Sequence, residues 1–98
     1  MTAQEQSEHL HAALLELAGT SDRLAGRAAG LDELDASSAL FVLADELRTM
    51  AQLVQASTPD EATFRLLDDG RWRISNTMLR LDGLERTTAT LTSIGAEC

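Results

Sequence analysis

Ninety-eight residues allow one domain with a thin core, since a chain of this size buries roughly two-thirds of its unfolded surface. A net charge of -8 and a pI near 4.5 set the surface against nucleic-acid phosphates and anionic lipid, leaving a basic partner or none. A sole cysteine excludes an intrachain disulfide and a Cys-based zinc site, and MTAQEQSEHLH lacks the basic and apolar regions of a secretory signal, so a soluble cytoplasmic protein is expected.

Thr2 followed by Glu5 fits a capping box, so a helix is predicted to start almost at once, over about 3–29. Leu10, Leu14, Leu17, Ser21, Leu24, Ala28 and Leu31 recur at steps of four and three, the spacing of one buried helix face. Gly19 and Gly26 fall outside that seam, where with Ala12 they either tolerate exposure or mark a close crossing by another helix. Gly30 suits a left-handed cap, and Asp32 or Asp35 suits the start of a second helix over about 33–56. This second helix holds the most apolar run, ALFVLADELRTMAQLV, with Leu40, Ala44, Leu47, Ala51 and Val54 on one face and Leu43 and Met50 beside them. Phe41, Val42 and Leu53 widen its apolar surface beyond what one partner helix covers.

Two readings compete for about 60–75. Thr58-Pro59-Asp60-Glu61 is a helix-start signature, which predicts a short helix to about Leu67. Phe64, Leu66, Trp72 and Ile74 alternate around Asp68-Asp69-Gly70, which predicts a small β-hairpin with all four on one face. The hairpin is favoured, and one helix running through Asp68-Asp69-Gly70 is the least favoured arrangement because it puts poor helix formers and a glycine mid-helix. Helical spacing returns at Met78, Leu81, Leu84, Thr88 and Leu91, for a third helix over about 76–92 with an Asp82–Arg86 ion pair and a frayed tail at 93–98.

Candidate chemistry is sparse. His9 and His11 are two apart and so nearly opposite on a helix, which denies them a shared metal ion, and no cofactor motif is present. Asp32, Glu33, Asp35, Asp45 and Glu46 form an acidic face suited to a basic partner or to mimicry of nucleic-acid charge. Trp72 among Arg65, Arg71 and Arg73 is either core or a small basic, aromatic spot. The absence of lysine beside eight arginines reads as the coding bias of a GC-rich bacterial genome.

The stretch Thr87-Thr88-Ala89-Thr90-Leu91-Thr92-Ser93-Ile94-Gly95-Ala96-Glu97-Cys98 resembles the core of ribosomally made precursor peptides of the lanthipeptide and thioamitide kinds. The resemblance covers only this dozen positions. It implies dehydration of Ser/Thr, with Thr90 and Ser93 as candidates, ring closure on a thiol derived from Cys98, and a leader role for the helical remainder.

The expected fold is mainly α: an antiparallel helical hairpin plus a third helix, bundle-like, with a small β-hairpin or short helix at about 62–75. The expected function is a non-enzymatic interaction or self-association module, as a homodimer or with a basic protein, through Phe41, Val42, Leu53 and Trp72. The alternatives are a modified-peptide precursor, tested by intact mass, and an acidic charge mimic that inhibits a nucleic-acid-binding protein, tested by steep salt dependence. No membrane contact and no direct nucleic-acid contact are expected.

Overall fold

The computed structural model describes residues 2–56 and 60–97, with the side chains of Ala3, Ala56 and 91–97 outside that description. Three helices account for it: α1 (Ala3–Gly30), α2 (Leu34–Ala56) and α3 (Glu61–Glu97). α1 and α2 form the antiparallel hairpin, and α3 lies along it, parallel to α1. Among the described residues no helix is long and apolar enough to cross a membrane.

Thr2 starts α1 as its spacing predicts, its Oγ1 accepting from Glu5 N at 3.2 Å. The two seams then meet. Leu10, Leu14, Ser21, Leu24 and Ala28 are buried against Leu40, Leu43, Ala44, Leu47, Ala51 and Val54, with Leu17, Leu31 and Met50 partly buried at the edges. Small seam residues let the backbones approach. Ser21 Oγ donates to Leu40 O at 2.6 Å and Ser37 Oγ to Ala25 O at 2.8 Å, so each buried hydroxyl ties one helix to the main chain of the other. A third strut closes the far end, where His11 Nδ1 lies 2.9 Å from Ala51 O. A carbonyl only accepts, so Nδ1 carries the proton, and Nε2 accepts from Gln55 Nε2 at 3.2 Å.

The turn between α1 and α2 differs from expectation. Gly30 stays helical, and Asp32 takes the left-handed conformation at φ 59°. Glu33 N–H reaches Ala28 O at 2.9 Å and Asp32 N–H reaches Ala29 O at 3.1 Å, the paired bonds of a Schellman cap. Aspartate accepts that conformation better than most residues but still at a cost of about 1 kcal/mol. Asp32→Gly is therefore expected to stabilise the fold by about 1 kcal/mol, read as a higher urea midpoint. An unchanged or lower midpoint would mean that Asp32 is not strained.

The larger correction concerns 62–75, which is neither a β-hairpin nor a separate short helix. α3 runs unbroken through Asp68-Asp69-Gly70 to Glu97, beyond the limit near 92 that the Thr-rich run implied. Two residues apart on a strand share a face, whereas on a helix they point about 200° apart. Ile74 is 3% exposed and Trp72 68%, which fits only the helix. The buried face is Thr63, Leu67, Gly70, Ile74 and Leu81.

At Gly70 α3 packs closely on the hairpin: a Cβ there would lie 3.1 Å from Leu17 Cδ2, 3.6 Å from Leu47 Cδ2 and 3.8 Å from Leu43 Cδ1. The close crossing is thus at Gly70, not at Gly19 or Gly26, since nothing lies within 4 Å of a Cβ at Gly26 and only Arg23 is near Gly19. At the start of α3 Asp60 Oδ1 accepts from Thr63 N at 3.1 Å, the bond of a helix cap. Thr58 and Pro59, and the expected stop of the second helix near Ser57, lie outside the described residues.

Candidate functional site

Ion pairs fasten α3 to the turn end of the hairpin. Arg80 meets Glu33 at 2.6 Å. Arg27 grips Glu85 with both prongs, at 2.5 and 2.8 Å, and also bonds Asp82. Asp82 is therefore not the i, i+4 partner of Arg86 that the spacing implied; Arg86 Nε donates instead to the Asp82 backbone oxygen at 3.3 Å. On the other side of the hairpin Arg48 bonds Asp22 and lies 3.7 Å from Asp45.

The bidentate contact from Arg27 holds the Glu85 carboxyl below its ordinary value of 4.5, against the opposing pull of desolvation and of Asp82. The hydrogen bonds that Arg27 donates to Glu85 and then to Asp82 raise its guanidinium. A carboxylate depressed in the folded state binds fewer protons there than in the unfolded chain. Its stabilisation is present above pH 4.5 and is lost as pH falls through the lowered folded value. Arg27→Met should lower the denaturation midpoint at pH 6, and the gap to the wild type should narrow at pH 3. A gap that stays constant with pH would remove the carboxylates from the explanation.

With the inner faces committed to packing, the outer edge of α2 faces a groove walled by α3. Val42, Asp45, Glu46, Thr49, Met50, Leu53 and Leu66 line it, and its volume is about 470 Å³. Val42, Thr49 and Leu53 follow each other at seven and four residues, so they form one ridge along α2. Val42 is 57% and Leu53 52% exposed, while Met50 and Leu66 are half-buried and form the apolar floor. Asp45 and Glu46 supply the acidic rim.

The four surface residues singled out from the sequence do not share one patch. Val42 and Leu53 come together in the groove. Phe41 is also exposed but does not line it, lying next to Val42 in sequence and so about 100° around α2. Trp72 occupies the outer face of α3, seven residues before the equally exposed Leu79. Arg65 and Arg73 beside it are bound to Glu61 at 2.7 Å and Asp69 at 2.9 Å.

Thr90 is exposed, its hydroxyl donating to Arg86 O at 2.9 Å, and Thr87 bonds Gly83 O in the same way at 3.0 Å. Ser93 lies within α3, and Cys98 lies outside the described residues.

Leu66 is the groove residue that sequence reasoning missed, because the strand reading put it on a hairpin face. A helical wheel over 61–84 aligns it with neither the core nor Trp72, and that intermediate position was the available signal.

A second depression of about 430 Å³, lined by Asp82, Glu85, Arg86 and Ala89, lies beside the Arg27 cluster. Among the described residues no three of His, Cys, Asp and Glu gather in a way that would hold a metal ion. Comparison with protein-family models, with curated proteins and with solved structures finds no match to the chain.

Proposed function

We propose that the protein is a non-enzymatic interaction module that accepts a helix of another protein in the groove between α2 and α3. The observation that carries the reading is the pairing of Val42 and Leu53, each more than half exposed, with the apolar floor of Met50 and Leu66. Such a ridge-and-floor arrangement matches helix-in-groove recognition, in which apolar anchors three to four residues apart enter a hydrophobic channel. From Val42 to Leu53 is eleven residues, about 16 Å at helical rise, or three turns of a docked helix. The interhelical ion pairs support the non-enzymatic part: Glu85, held ionised by Arg27, fastens a helix and is not poised to move a proton.

The test is a selection of helical peptides from a random display library on the immobilised protein. The expected result is a set of peptides whose binding is lost on the Val42→Asp/Leu53→Asp variant while its circular dichroism and melting stay as in the wild type. Both positions are exposed, so the variant should fold. A selection that yields nothing above background, or peptides indifferent to the double substitution, counts against the groove.

A further inference from the structure

The groove's rim identifies the kind of helix it takes. We infer that the occupant is a basic amphipathic helix, with Lys or Arg flanking its apolar stripe, and not a second copy of this chain. The inference rests on the groove being the interaction site.

Negative charge is left over at the rim. Arg27, Arg65, Arg73 and Arg80 are each held by a carboxylate of this same chain, and Arg48 spends its stronger contact on Asp22. Asp45 keeps only the outlying 3.7 Å approach of Arg48, with its side chain 84% exposed. Glu46 is exposed and has no ion pair among the described residues. On the α3 wall, Arg73 lies seven residues beyond Leu66 and on the same side, but it is turned to Asp69 at 2.9 Å. The apolar floor is thus edged by two carboxylates, one with only a long approach from Arg48 and the other without an ion pair among the described residues.

A second copy would bring an identical acidic rim and its own charge of -8 to the same place, and like charges across an interface are disfavoured. A helix with cations on either side of a leucine stripe meets apolar floor with apolar stripe and carboxylate with ammonium or guanidinium.

The experiment uses the full chain and two synthetic helical peptides of about five turns. They share a leucine stripe at i, i+4, i+7 and i+11 and differ only in flanking Lys or flanking Glu. Fluorescence anisotropy is expected to give at least about tenfold tighter binding of the Lys peptide at low salt, shrinking as salt rises. The preference should invert on Asp45→Lys/Glu46→Lys, whose fold is checked by circular dichroism.

Equal affinity for the two peptides would overturn the basic-helix inference and leave the groove reading standing. Binding of neither peptide would overturn the inference, with the display selection deciding the groove separately. Sedimentation equilibrium showing a dimer that Val42→Asp dissolves would put a second copy in the groove, overturning the inference while upholding an interaction role.

Discussion

Gly70→Leu is expected to unseat α3 from the hairpin and to destabilise the protein by about 3 kcal/mol. The crossing has little room beyond a hydrogen: a methyl carbon would lie 3.1 Å from Leu17 Cδ2, and a leucine would have to displace Leu17, Leu43 and Leu47 together. Gly70→Ala is the informative control. Alanine gains about 1 kcal/mol of helix propensity, and the atom it meets is the end of a leucine side chain that shifts by a few tenths of an ångström, so the net change is close to zero. Urea denaturation followed by circular dichroism measures both. A Gly70→Leu protein that unfolds at the wild-type midpoint would show that α3 does not pack at this position.

Leu47→Ala is expected to cost about 3–4 kcal/mol, near the middle of the range for a leucine removed from a closed core. Leu47 is fully buried and is one of the side chains beneath Gly70, so it touches the seam between α1 and α2 and the underside of α3 at once. The void it leaves is bounded by three helices, which limits collapse around it. For a domain of this size such a loss is a drop of roughly 15–25 °C in melting temperature. Thermal unfolding by calorimetry is the measurement. A shift of only a few degrees would mean that the three helices close over the gap and that the core is less tightly fitted than its burial implies.

The two seams were legible because burying one side of a helix leaves a mark at every third or fourth residue, and Leu10 to Leu31 and Leu40 to Val54 carry it without interruption. α3 was misread for the complementary reason. A close contact is made at Gly70, which has no apolar side chain to record it, and its most conspicuous residue, Trp72, points to solvent. Local preference argued against a helix through Asp68-Asp69-Gly70, and tertiary packing against Leu17, Leu43 and Leu47 outweighed it.

The interaction surface was half legible on the same grounds. Val42 and Leu53 stood out as apolar residues in excess of one seam. Met50 and Leu66 become floor only once α3 is continuous beside α2. The capping residue of the turn was missed by two positions because Gly30 offers the conformational freedom and Asp32 is the residue that needs it.

The 63 Å length of the molecule against widths of 23 and 16 Å has a hydrodynamic side. Its radius of gyration is 17.2 Å, where a compact chain of this length has about 13 Å and one of about 220 residues would reach this value. A rod of these proportions meets more drag than a sphere of its own mass. On a sizing column one copy would therefore elute ahead of a compact chain of the same length, and a method that weighs particles without reference to friction counts the copies.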